Sequence, residues 1–304
     1  MKSNIFSSRL YKIALKKQCR ICLPEIEDSR VMMASKELRE IGIDVIKLDN
    51  NRNLKHQEHI NHLKSKEFTK NWPDDEVEKF VSKPINIALC MLSLGEIDGV
   101  VAGASTPTSE IIRSSIRIIG IESESQWLSS MFFLISPSGK IAYSYADCAV
   151  IPEPTPKQLV DIAKKTSDFH QLLSNTTPRV AFLSFSTKGS AQHYRVDKIR
   201  DAVNLFSKKY PNINHDGELQ FDAAISIDIA KKKVKAPKLK KGANVFIFPN
   251  LDAANIAYKI TQELAGYSAW GPLLLGLSKP VHDLSRGCSV EDIVNISLIT
   301  ILQS

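Results

Sequence analysis

Short β-branched runs alternate along the chain with segments whose apolar residues recur every three or four positions. That alternation predicts βαβ units around a mainly parallel sheet. RICLP at 20–24 reads as the first strand, and Asp28 caps a helix carrying Val31, Met32 and Leu38. IDVIKLD at 43–49 predicts the next strand, followed by a polar connection with Asn50, Asn51 and Asn53 and a helix over 74–94. DGVVAG at 98–103 is a strand ending in a glycine turn, and the helix after it turns Ile111, Ile112, Ile116 and Ile119 inward. Residues 127–150 break the parallel theme, because Pro137, Ser138 and Gly139 separate two β-rich runs as in a hairpin.

IPEPTP at 151–156 places three prolines in six residues and marks a crossover into a second α/β unit. That unit is read as a helix over 156–174, a strand at 179–186, a helix over 195–208, a strand within 217–227, a strand at 243–250, a helix over 252–265 and a strand at 271–277. A final helix runs from Ser289 to the end. The fold class is therefore α/β: two domains with mainly parallel sheets and an interdomain cleft, a common place for ligands. At the start, Ile5, Leu10, Ile13 and Ala14 form the inward stripe of a basic amphipathic helix leading into the first strand, a reading preferred to a transit peptide.

Composition narrows the class. The 304 residues are 43% hydrophobic and 24% charged, an ordinary globular balance that excludes disordered and collagenous chains. Apolar runs such as Met131 to Ile135 are far shorter than a membrane span needs. Five scattered cysteines suit a reducing, cytoplasmic setting, and the CxxC of Cys19 and Cys22 lacks a second pair at zinc spacing. Net charge is 40 − 33 = +7, and residues 231–241 hold seven lysines with no acid, so the basicity is local. A solvated loop explains it better than a nucleic-acid surface, which would add Arg and exposed aromatics.

Three segments carry candidate chemistry. In KPVHDLSRGCSVEDIVN (279–295) a polar loop with Ser285, Arg286 and Gly287 feeds the final helix, a geometry suited to anion binding. Asp292 in the first turn could act as a general base, while Ser289 and Asp292 equally fit a capping box. In DGVVAGASTPTSEIIRSS (98–115) loop amides and the hydroxyls of Ser105, Thr106, Thr108 and Ser109 could receive phosphate, with Arg113 closing over it or pairing with Glu110. In FSTKGSAQH (185–193) Ser186, Thr187, Lys188 and Gly189 end a strand and form either a ligand loop or a plain turn. No metal motif is present, and neither nucleotide fingerprint applies.

At KPVHDLSRGCSVEDI the sequence resembles the phosphate acetyltransferase (phosphotransacetylase) family, and RICLPEIEDSR, LGEIDGVVAGA, YADCAV, PRVAFLSFSTKGSA, DGELQFDAAI and ANVFIFPNLDAANIAYK follow as further family-like blocks. The resemblance implies an isocitrate/isopropylmalate dehydrogenase-like pair of domains, drawn here as 1–148 plus 284–304 and 149–283. It implies an acyltransferase moving acetyl reversibly between CoA and orthophosphate, usually as a homodimer, with acetyl-CoA, CoA, phosphate and acetyl phosphate as partners and no cofactor. Propionyl or butyryl transfer, and a weakly catalytic CoA-binding regulatory module, are the alternatives. By position, Asp292 would take the CoA thiol proton, Ser285 would hydrogen-bond the thiolate or tetrahedral centre, Arg286 would hold phosphoryl oxygens, and Arg113, with Thr108 and residues 186–189, would bind substrate or CoA. Where the family commonly has an arginine associated with CoA phosphate, this chain has Thr69, Lys70, Asn71, Trp72 and Pro73.

Overall fold

The computed structural model describes residues 4–48 and 53–304, and the chain divides into two compact units, 1–128 with 276–304 and 129–275. The first unit begins with α1 (Ile5–Ala14), β1 (Arg20–Cys22), α2 (Ser29–Glu40), β2 (Asp44–Ile46), α3 (Asn53–Lys64), α4 (Asp74–Val81), α5 (Pro84–Leu94), β3 (Gly99–Ala102) and α6 (Thr108–Ile118). The second holds β4 (Ser129–Ile135), β5 (Ala142–Ala146), α7 (Pro156–Ser174), β6 (Arg179–Leu183), α8 (Tyr194–Lys209), β7 (Asn214–Leu219), α9 (Phe221–Ile225), α10 (Ile227–Lys233), β8 (Val245–Ile247), α11 (Leu251–Ala265) and β9 (Ser268–Leu275). The chain returns to the first unit with β10 (Val281–Asp283) and α12 (Val290–Gln303).

In the first unit four parallel strands lie in the order β10-β3-β1-β2, with Cys22 opposite Val100 and Asp283 opposite Ala102. Because these strands are parallel neighbours, the loops after β1, β3 and β10 leave from the same edge, where α/β sheets place their ligands. Helix α12 packs on β1, β3 and β10 and against α1 and α2, and every residue from Ile293 to Leu302 is buried. An all-round apolar helix has no other stable place than a core.

The second sheet has the order β7-β6-β8-β5-β4-β9, in which β4 runs antiparallel to both β5 and β9 while β5, β6, β7 and β8 are parallel. The hairpin expected over 127–150 is present. It pairs with β8 and β9, so the unit boundary falls at 128/129 where the sequence reading put 148/149; the second lies at 275/276 instead of 283/284 because β10 pairs with β3. Phe132, Leu134, Tyr145, Phe246 and Phe248 build the core of this unit, with Phe132 stacked 3.9 Å from Tyr258. Lys231, Lys232 and Lys233 close α10, where cations suit the helix C-terminus, and Val234 and Leu239 bury behind them.

Three local expectations change. The helix over 74–94 is two helices, because Pro84 cannot continue α4 and instead opens α5 at its first turn. Helix α6 buries Ile111, Ser114, Ser115 and Ile118 and leaves Ile116 41% exposed, so its inward face is rotated from the isoleucine stripe. Val281–Asp283, to which the sequence pattern assigns no element, is a strand with all three side chains buried. Asp49, Asn50 and Asn51 lie outside the described residues. Among those described, no helix is long and apolar enough to cross a membrane, and all five cysteines are free.

Candidate active site

The loop after β3 is where phosphate was expected to dock, and its amides are already taken. The Glu25 carboxylate, from the loop after β1, accepts the N–H groups of Gly103 (2.9 Å), Ala104 (2.8 Å), Ser105 (2.9 Å) and Thr106 (2.6 Å), and the Ser105 hydroxyl at 3.1 Å. Gly103 sits at φ +118°, and a Cβ there would collide with the Asp283 carboxylate and the Leu284 backbone. Only glycine lets the loop lie this close to β10. Burial pushes the Glu25 carboxyl up, yet the amides of Ser105, Thr106 and Ala104 outweigh it and hold the group below its ordinary value.

Arg30, in the first turn of α2, joins the three loops. Its Nε and one terminal nitrogen form a fork on Asp28 at 3.0 and 2.6 Å, and the same terminal nitrogen donates to the Ala104 carbonyl at 2.9 Å. The other terminal nitrogen donates to the carbonyls of Arg286 (2.8 Å) and Cys288 (2.9 Å). All five guanidinium N–H groups are thereby used. Hydrogen bonding from Arg30 in turn holds the Asp28 carboxyl below its ordinary value.

Both of these carbonyls belong to the segment singled out in the sequence. Ser285 and Arg286 are both exposed; the Ser285 hydroxyl accepts the Gly287 N–H at 3.3 Å, and the Cys288 N–H closes a turn on the Ser285 carbonyl at 2.9 Å. Arg286 has no ion pair among the described residues. The capping box is present: Ser289 Oγ accepts from the Asp292 N–H at 3.2 Å, and Asp292 Oδ2 accepts from the Ser289 N–H and hydroxyl at 2.9 and 2.8 Å. Both bonds fall on Oδ2, which leaves Oδ1 without a hydrogen bond among the described residues.

On α6, Glu110 pairs with Lys83 at 2.6 Å, so the alternative partner considered for Arg113 is engaged elsewhere. Arg113 is exposed and has no ion pair among the described residues. The Thr108 hydroxyl donates to Asp283 Oδ2 at 2.6 Å instead of facing outward. Residues 186–189 belong to the other unit, where β7 absorbs their polar groups. Lys188 pairs with Asp216 at 2.6 Å, Ser186 Oγ and the Gly189 N–H donate to Glu218 at 3.2 and 2.8 Å, and Thr187 donates to Gln220 at 3.2 Å. Arg200 grips both oxygens of Glu218 at 3.2 Å. The loop is a braced turn.

The family model described as Phosphate acetyl/butaryl transferase matches residues 5–301. The chain belongs to this family. The phosphate acetyltransferase of Acetivibrio thermocellus is 36% identical over 310 residues, covering 93% of each chain, and that of Staphylococcus epidermidis is 38% identical over 316 residues, covering 95% of each. The crystal structure of a phosphotransacetylase from Streptococcus pyogenes superposes with a TM-score of 0.87 at 30% identity, over 98% of this chain and 97% of that one. As an acyltransferase of this family the chain has CoA, phosphate and acyl phosphate as its substrate classes.

The segment at 69–73, which departs from the family pattern, places Trp72 in an aromatic cluster. Trp72 packs edge-on to Phe68 and Phe80 at 5.5 and 5.3 Å, and the Arg117 guanidinium lies 5.7 and 5.9 Å from the Phe68 and Trp72 rings. Lys70 makes an exposed contact with Glu67 at 3.6 Å. Sequence reasoning passed over Glu25 and Arg30, although both stand in the RICLPEIEDSR block, since nothing local signals a partner 78 or 256 residues away.

Glu25→Gln replaces an acceptor by a donor against amides that need acceptors, and is expected to lower unfolding free energy by roughly 2–4 kcal/mol at pH 7. Glu25 titrates below the ordinary carboxyl range in the folded state, so its contribution is complete above that range and drains as pH falls through the lowered folded value. Denaturant titrations from pH 7 to pH 3 should show wild type and variant converging at the acid end. A gap that stays constant with pH would assign the loss to packing.

Proposed function

We propose that this chain transfers an acetyl group reversibly between CoA and orthophosphate, acting in the cytoplasm as a homodimer. The observation that supports the reading most is the Asp292 carboxylate, fixed through Oδ2 by the cap and open at Oδ1, at the end of a loop that presents Ser285 and Arg286. In this reading Asp292 Oδ1 takes the thiol proton of CoA and the thiolate attacks the carbonyl carbon of acetyl phosphate. The C–O bond to phosphate then breaks, and phosphate leaves toward Arg286, whose planar fork matches its oxygens. Ser285 donates to the charge that develops on the reacting centre. In the reverse direction phosphate attacks the thioester and Asp292 returns its proton to the leaving thiolate. Arg113 contacts a phosphate of CoA. Thr108 and residues 186–189, spent within their own units, brace the scaffold in place of touching substrate.

The reaction is read as release of CoA thiol from acetyl-CoA that depends on phosphate or arsenate, with propionyl- and butyryl-CoA in parallel to set chain preference. Asp292→Asn keeps an acceptor for the cap, and kcat is expected to fall by about 10²- to 10⁴-fold with the KM for CoA little changed. Near wild-type kcat would remove Asp292 from the role of base. Folded protein that binds CoA without turnover would favour the regulatory alternative, with Lys70 in place of the family arginine as its cause.

The homodimer is supported by an exposed apolar stripe on α11, where Ile256 (57%), Ile260 (53%) and Leu264 (84%) stand four residues apart on one face. Light scattering is expected to give twice the chain mass, and Ile260→Glu is expected to give one chain mass at the same concentration. A variant that remains dimeric would place the contact elsewhere.

A further inference from the structure

Asp283 is the last residue of β10, and its side chain is completely buried. Oδ2 receives the Thr108 hydroxyl at 2.6 Å, while Oδ1 has no hydrogen-bond partner and no cation pairs with the group among the described residues. The Gly103 backbone lies against Oδ1, so the group is sealed in and not turned toward a ligand. Around it stand the Thr108 hydroxyl from α6, the Leu284 amide of its own strand end and, through space, the Glu25 carboxylate from the loop after β1. Burial drives the carboxyl up to about 7, against the pull of Thr108 and Leu284 and with the Glu25 charge adding to the rise. An unpaired buried carboxyl costs stability that an apolar or amide side chain would not.

What this costly group secures is a link between two segments that carry exposed arginines. Thr108 opens α6, which displays Arg113, while Asp283 leads through Leu284 into Ser285 and Arg286. The Leu284 N–H is anchored on Ala102 at 2.8 Å, which fixes the strand end, and the Thr108 bond ties to that end a helix otherwise held by packing on α5 and by the Glu110–Lys83 pair. We propose that Asp283 is a positioning residue that, through Thr108, pins the start of α6 to the end of β10 and so sets the spacing between Arg113 and the Ser285–Arg286 pair. This rests on the acetyl-transfer reading for its kinetic consequence, and the clamp itself is a property of the first unit.

The test compares Thr108→Val, which deletes the donor, with Thr108→Ser and Asp283→Asn, which keep donor and acceptor. Thr108→Val is expected to lower kcat about tenfold, with amides 109–113 exchanging faster with deuterium, while the two conservative variants stay within about threefold of wild type. In an Asp283→Ala background Thr108→Val should change nothing further, because the partner is already gone. Equal losses in Asp283→Asn and Thr108→Val, unchanged exchange in Thr108→Val, or a full additional loss in the Asp283→Ala background would overturn the clamp. Wild-type protein without phosphate-dependent transfer would sink the acetyl-transfer reading alone, since exchange at 109–113 still decides whether the clamp exists. Should Asp283→Ala fail to fold, the Val and Ser pair at position 108 remains decisive.

Discussion

A guanidinium offers five N–H groups in one rigid plane, and at Arg30 every one of them is bonded. The acceptors come from three loops that are remote in sequence and adjacent only because β10, β3 and β1 are parallel neighbours. A lysine could supply charge there but not the fixed fork. The exposed turn holding Ser285 and Arg286 thus hangs from two carbonyls that Arg30 holds, and its shape does not depend on a ligand arriving.

Glu25 performs the complementary task. Four successive amides make a strong anion site, and in this chain a carboxylate of the protein itself occupies it. A phosphate brought to this edge would therefore not find the amides of residues 103–106 free. In the proposed reaction the positive charge for it would come from Arg286 and Arg113, both exposed and without ion pairs among the described residues. Charges kept unpaired at an exposed edge cost little in water and remain open to an anionic substrate.

The alternation of strand and helix patterns was legible, as were the hairpin around Pro137–Gly139, the helix opened by Thr155 and Pro156, and the cap at Ser289, because each is written in neighbouring residues. The cap and the candidate base turn out to share one carboxylate, so spacing alone could not separate them. What was illegible is long-range. β10 is too short and too polar to show a period of two, and its burial comes from pairing with β3 and from α12. The amides of 103–106 have the look of an anion site, and their partner Glu25 was illegible, since only the folded chain brings it to them. The polar groups of residues 186–189 likewise meet partners from β7 and the residue after it, which the local sequence does not show.

The claim on which the rest depends is that the Ser285–Cys288 turn is held in place before substrate binds, and amide exchange in ligand-free protein measures this directly. The Cys288 N–H should be protected in wild type and should lose at least about tenfold of that protection in Arg30→Lys, with the core strands unchanged. Exchange at the unstructured rate in wild type, or identical exchange in the two proteins, would contradict a turn preformed by Arg30.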